Sequence, residues 1–178
     1  MRVIGGKLGG RQFDSPHGHR THPMSDKIRG ALFNSLGDIN GLTLLDAYAG
    51  SGAISFEAIS RGAKSAVAIE QDGEAFKAIG RNIKALNLES QVTANRLTVK
   101  SWSQRHPNHK FDIVVMDPPY NDIRRDQLRK LASHTKIPSV IVISLPPLAD
   151  AELDESLFHL ISVKSYGDAK LVFYQRTG

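Results

Sequence analysis

The stretch LTLLDAYAGSGAISFEAIS, residues 42–60, decides the fold. A continuous apolar run, 42–45, meets an acid, Asp46. A turn with Gly50 and Gly52 follows, and a helical pattern begins at once. Strands that are apolar throughout, without alternation, belong to sheets covered on both faces, which are mostly parallel. The pattern repeats outward. AVAIE (66–70), FDIVVMD (111–117) and SVIVISL (139–145) read as further strands, with helical periodicity at 53–61, 73–87 and 122–134. A weak strand near 91–95 and a short helix after it complete the middle of the chain. The strand candidates 157–164 and 170–175 are separated by little more than YGDA. That is too short for a parallel crossover, so they should pair antiparallel. The expectation is an α/β fold with a mostly parallel, doubly wound sheet ending in an antiparallel hairpin.

The chain has 178 residues, about one domain's worth. Hydrophobic residues are 40% and charged residues 23%, enough to bury a core and too apolar for a disordered chain. No cysteine is present, which excludes disulfides, thiolate metal sites and thiol nucleophiles. There is no apolar run of membrane-spanning length and no signal-peptide pattern, so a cytoplasmic protein is expected. The net charge of +5 is uneven. Residues 1–36 carry six Lys or Arg against two acids, and the rest of the chain is close to balanced. RVI, GGKLGG and RQF read as a short β-hairpin over 1–14, followed by the loop SPHGHRTHP (15–23) and then by a helix over 26–36 capped by Ser25. Arg2, Lys7, Arg11, Arg20 and His22 make this extension (1–23) a candidate RNA-phosphate anchor beside a main domain at 24–178. His17, His19 and His22 have no cysteine and no carboxylate partner beyond Asp14, so no metal is expected.

Glycines after the first strand let backbone approach a ligand. Glu70 ends the next strand, where an acid grips ribose hydroxyls. The pattern departs from the dinucleotide fingerprint, because Ser55 stands where a third Gly or Ala is usual. Asp46 is the more telling residue. A carboxylate there repels a pyrophosphate and attracts a cation such as the ammonium or sulfonium of S-adenosylmethionine. Asp46, Ala49, Gly50, Ser51, Gly52 and Glu70 are therefore the candidate cofactor-binding residues, with Asp46 as a strand-end cap the competing reading.

The strand 111–116 runs into Asp117-Pro118-Pro119-Tyr120. In open α/β sheets ligands sit at the carboxyl ends of the strands, so this turn should face the same crevice. Pro119 holds Pro118 extended, and neither proline offers an N–H. The Asp117 carboxylate and Pro118 carbonyl then form a rigid acceptor pair beside the aromatic face of Tyr120. That set matches an exocyclic base amine, which has two N–H donors on a stacking ring. Accepting both bonds makes the nitrogen more nucleophilic towards a methyl donor. Catalysis then rests on positioning and electrostatics, with Asp117 also able to take the released proton.

The motifs RVIGGKLGGRQF, THPMSDKIRGALFNSL (21–36), DAYAGSGAISFEAISRGA (46–63), FDIVVMDPPY (111–120) and YGDAKLVFY (166–174) together resemble the RsmD-like 16S ribosomal RNA guanine-N2 methyltransferases. The resemblance runs nearly end to end. It implies a class I, Rossmann-like methyltransferase fold with a seven-stranded sheet, S-adenosylmethionine as donor and a guanine of 16S rRNA, naked or in the small ribosomal subunit, as substrate. It also implies that Asp46, Gly50, Gly52 and Glu70 hold the donor and Asp117, Pro118 and Tyr120 the base. The chain departs from the family at His22 and Gly30. Near Arg96 it lacks the usual contact to the adenine amine. DPPY occurs also in DNA adenine-N6 methyltransferases, the first alternative; a degenerate, RNA-gripping module is the second. Arg124, Arg125, Arg129 and Lys130 read as a solvated helix face or an RNA contact, and Trp102 as a packing residue.

Overall fold

The computed structural model describes residues 1–16 and 23–178. Helix α1 (Asp26–Leu36) starts at Ser25, whose hydroxyl accepts from the Ile28 N–H. Then β1 (Thr43–Ala47), α2 (Ala53–Ser60), β2 (Ser65–Ile69), α3 (Gly73–Ala85), β3 (Val92–Asn95), α4 (Val99–Arg105) and β4 (Phe111–Met116) follow. The chain closes with α5 (Arg125–Ala132), β5 (Thr135–Leu145), β6 (Phe158–Tyr166) and β7 (Ala169–Arg176). The strands form one sheet in the order β3-β2-β1-β4-β5-β7-β6. β1 to β5 are parallel, and β7 pairs antiparallel with both β5 and β6. This is the expected sheet. It reverses direction of winding between β1 and β4, and a crevice opens at such a switch point.

Consecutive side chains of a strand face opposite sides, which explains why the central strands are apolar throughout. Leu44, Ile113, Val115 and Val142 pack on one side of the sheet with Phe33, Phe56 and Ile79. Leu45, Val114, Met116 and Ile141 pack on the other with Trp102, Leu128 and Leu131. Trp102 is fully buried and stacks on His106 at 4.9 Å, a packing role as expected.

Three local expectations change. Residues 1–14 do pair antiparallel, with the Val3 N–H on the Arg11 carbonyl at 2.9 Å and the Phe13 N–H on the Met1 carbonyl at 3.0 Å, but as a single bridge, Arg2 with Gln12, around a 3-10 turn at Gly6–Leu8 and not as two regular strands. The reason lies in α2. Glu57 accepts the Ile4 and Gly5 N–H groups at 2.7 and 2.9 Å, and the Ser60 hydroxyl accepts from Leu8 N at 2.9 Å. Side chains of a helix thus take donors that a partner strand would have used. Gly6 sits so close that a Cβ there would lie 1.9 Å from the Ser60 carbonyl oxygen, at a φ of +75°. Second, α5 starts at Arg125 and not at 122, because the Asp122 N–H closes a turn onto the Pro119 carbonyl at 3.0 Å. Third, β5 begins at Thr135, four residues early, and a register shift against β4 absorbs the extra length.

Candidate functional site

Loop Tyr48–Gly52 leaves β1, and turn Asp117–Tyr120 leaves the adjacent β4. Asp46 pairs with Val115 and Ala47 with Met116, and the Asp117 N–H still reaches the Ala47 carbonyl at 3.5 Å. The ladder therefore carries Asp46 and Asp117 to neighbouring strand ends, in adjacent strands about 4.8 Å apart. Glu70 follows β2 on the other side of β1. The sequence-predicted acids thus converge on one rim.

Asp46 is fully buried. Its Oδ2 accepts from the backbone N–H and the hydroxyl of Ser55, at 3.1 and 2.7 Å. The cap reading is thereby satisfied by one oxygen, and the serine that departs from the glycine fingerprint is what holds it. Oδ1 has no partner. Burial raises the Asp46 pKa to about 7, the Ser55 bonds oppose this, and the Asp117 and Glu70 carboxylates add to it. Glu70 is also buried and its pKa raised, chiefly by desolvation. Its Oε2 accepts from Gly50 N and its Oε1 from Asp72 N, each at 2.7 Å. Glu70 thus shapes the loop before it meets any ligand, and each oxygen keeps a second lone pair. Ala49, Ser51 and Gly52 are buried in the loop, while a Cβ on Gly50 would meet nothing within 4 Å. Space is left above the one glycine that faces outward.

Asp117 is half-buried, and desolvation raises its pKa to about 6 against a lowering by the Ser144 hydroxyl. Pro118 is buried, and among the described residues no donor reaches its carbonyl. Pro119 is exposed, and its carbonyl closes the turn. Tyr120 is 40% exposed, with its hydroxyl 2.7 Å from Ser144 Oγ at the end of β5. The ring is open to a ligand while its far end is tethered. No Lys, Arg or His forms an ion pair with Asp46, Glu70 or Asp117 among the described residues. Nor is there a metal-ligating cluster there.

Three participants escaped the sequence. Ser144 closes an apolar strand, a position with no chemical signature. Ser55 was legible only as a deviation. Tyr48 holds a φ of 68°, rare for a bulky residue and typical of strained sites. Burial and the nearby Asp122 and Asp126 carboxylates push its phenol up to about 12. Arg96, where an adenine contact was missing, lays its guanidinium over Gly73, within 2.9 Å of where a Cβ would be.

The predicted basic residues are divided. Arg2 pairs with Asp26 at 3.1 Å, and Arg11 donates to the Ala85 carbonyl at 2.7 Å. Lys7 is exposed without an ion pair among the described residues. Arg20 and His22 lie outside the described residues, as do His17 and His19. Arg124 pairs with Asp122, and Arg125 and Arg129 with Glu152, so most of that run holds the protein's own surface.

A family model described as "Conserved hypothetical protein 95" matches residues 1–175. The chain belongs to this family. The RsmD-like resemblance is borne out by relatives. "Ribosomal RNA small subunit methyltransferase D" of Escherichia coli (strain K12) is 34% identical over 121 residues, 67% of this chain and 60% of that protein. The chain thus spans under two thirds of that relative. "Putative rRNA methyltransferase YlbH" of Bacillus subtilis (strain 168) is 28% identical over 184 residues, covering all of both chains. Among solved structures, "Putative methyltransferase yhhF from Escherichia coli" superposes with a TM-score of 0.87 at 26% identity, covering 100% of this chain and 98% of that one. SMU.776 complexed with SAH shares the fold at a TM-score of 0.68 and 14% identity, over 84% of this chain and 48% of that one. The fold is that of the class I S-adenosylmethionine-dependent methyltransferases.

Proposed function

We propose that this protein is an S-adenosylmethionine-dependent methyltransferase that modifies the exocyclic N2 amine of a guanine in 16S ribosomal RNA. One observation carries the reading. Two acceptors without a partner among the described residues, Asp46 Oδ1 and the Pro118 carbonyl, stand at the ends of adjacent strands. The first fits a cation and the second fits an N–H.

The residues present suit the donor. Asp46 offers a buried, unpaired carboxylate oxygen to its cationic part, Gly50 leaves room for close approach, and Glu70 keeps lone pairs for ribose hydroxyls. The donor supplies an electrophilic methyl on a positively charged sulfur. Asp117 and the Pro118 carbonyl accept the two amine N–H groups and fix the nitrogen's lone pair outward. Tyr120 stacks on the base, held in place by Ser144. As methylation proceeds the amine loses a proton, and Asp117, with a pKa near 6, is suited to receive it and pass it to water. Most of the rate then comes from orientation and from oxygens set in advance.

The extension 1–23 serves as the RNA anchor of the catalytic part 24–178, with Lys7, Arg20 and His22 on phosphate and Arg2 and Arg11 sharing that role with docking. The acceptor is 16S rRNA or the small subunit built on it, and the setting is the cytoplasm. No helix among the described residues is long and apolar enough to cross a membrane. Labelled methyl transfer from S-adenosylmethionine to 16S rRNA, followed by nucleoside analysis, tests the proposal. The expected product is N2-methylguanosine. Label on adenine, or none in RNA, overturns it.

A further inference from the structure

β5 ends at Leu145, beside the end of β4, and the last registered pair is Met116 with Ile143. The chain that continues, Pro146-Pro147-Leu148-Ala149, therefore stands on the same rim as Asp117–Tyr120. The Tyr120–Ser144 bond at 2.7 Å ties the two segments together. From Ser144 to Leu148 is four residues, at most about 14 Å of extended chain.

Leu148 is 101% exposed. The other large exposed hydrophobics among the described residues range from 37% to 56%, and Tyr120, on this same rim, is one of them. A fully hydrated leucine on a floppy loop would mean little. This one is mounted rigidly. The Ala149 N–H closes a turn onto the Pro146 carbonyl at 3.1 Å, with Pro147 inside it. Beyond the turn, Arg125 donates to the Asp150 carbonyl and Arg129 to the Glu152 carbonyl, each at 3.1 Å. Ala151 and Leu153 are buried beneath. The segment is thus pinned to α5 on one side and to β5 on the other, and it holds an apolar side chain out in water.

An amine inside a base-paired helix cannot reach Asp117 and Pro118 without leaving its stack. Proteins that unstack bases commonly insert an apolar side chain into the gap. We infer that Leu148 is such a wedge: it enters the RNA stack beside the target guanine and fills the place the base vacates while Tyr120 receives it. This rests on the base-amine reading of the Asp117–Tyr120 turn and adds to it how the base is brought there.

The test uses the full-length protein and 16S rRNA whose accepting nucleotide has been mapped by labelled transfer. In Leu148→Ala, kcat should fall about tenfold or more, with KM for RNA and donor within twofold. Leu148→Met, which keeps apolar bulk, should stay within threefold of wild type. With 2-aminopurine at the accepting position, wild type should brighten the probe on binding, and Leu148→Ala should bind equally without brightening it. Undiminished kcat in Leu148→Ala overturns the wedge, and so does a loss confined to KM with full brightening, which would mark a plain surface contact. In both cases the methyltransferase reading stands. If wild type transfers no methyl to RNA, that reading falls and the wedge falls with it.

Discussion

Glu57 and Asp46 are both fully buried acids, eleven residues apart, and their surroundings are opposite. Glu57 accepts from Ile4 N, Gly5 N and the Arg61 guanidinium, and the fully buried Arg29 lies 3.8 Å away. Arg29 in turn donates to the Arg2 carbonyl and to Asp26. Asp46 has Ser55 on one oxygen, nothing on the other, and two further carboxylates for neighbours. Burying a charge is costly unless it is paired. At Glu57 the protein supplies the partners itself and uses them to fasten the N-terminal extension to α1 and α2. At Asp46 one oxygen is left open, and on the proposed function the cation comes from outside. The same residue class is a joint in one place and, in that proposal, a receptor in the other.

The largest expected effect lies on the joint. Glu57→Ala takes from the buried Arg29 one of its two carboxylates, leaving Asp26, and strips the Ile4 and Gly5 N–H groups and Arg61 of their acceptor; breaking such a buried network costs about 3–5 kcal/mol. At about 2–4 °C per kcal/mol for a chain of this size, the melting temperature should drop by roughly 10 °C. A drop under about 3 °C would erase the distinction. On the receptor side, Asp117→Ala should cut methyl transfer by about 10²–10³-fold, the usual scale for one preorganised polar group, with RNA affinity within twofold. Equal loss of both would make the turn structural. In the wild type, kcat/KM for RNA at saturating donor should fall about tenfold per pH unit below about 6, where Asp117 takes a proton. A flat profile from pH 5 to 8 would contradict the acceptor role.

Other substitutions sharpen the contrast. Tyr120→Ala should remove a stacking contact worth about 1–3 kcal/mol, seen as roughly tenfold in kcat/KM. Ser144→Ala frees the tether and removes the hydroxyl that holds the Asp117 pKa down; a lost bond of about 0.5–1.5 kcal/mol should cost less. Asp46→Asn should abolish donor binding by calorimetry, yet not destabilise the ligand-free protein above neutrality. The folded-state pKa of Asp46, about 7, lies above the ordinary aspartate value of 3.8. The native state therefore holds the proton longer than the unfolded chain, and wild-type stability falls as pH rises through that window. The Asn variant lacks this loss, so its melting temperature should gain on wild type between pH 4 and 8. Uniform destabilisation would show that Asp46 belongs with Glu57. Last, Lys7→Glu should lower the salt slope of RNA binding by about one unit per lost phosphate contact and leave kcat unchanged.

The placement of the candidate site was legible in the sequence. Asp46, Glu70 and the Asp117–Tyr120 turn each terminate an apolar run, and strand ends on one side of a parallel sheet share a rim. Glu57 could not be read that way. It sits in the helical stretch FEAIS like any solvated acid, and its partners are backbone groups 52 and 53 residues away. The N-terminal glycines suggested a strand pair, since nothing local announces that α2 will capture the N–H groups of Ile4, Gly5 and Leu8. Arg2 and Arg11 looked equally free until Asp26 and the Ala85 carbonyl were found opposite them.

Periodicity and chain direction are local properties, so the sequence by itself determined the parallel sheet, the closing hairpin and the two chemical loops at the carboxyl ends of their strands. Whether a buried carboxylate is answered or left open depends on which groups the packed chain brings within about 3 Å, and that separation has no signature along the sequence. Only the tertiary structure therefore decided that Glu57 binds the protein to itself, that Ser55 and Ser144 support Asp46 and Tyr120, and that one leucine is held out beside them in water.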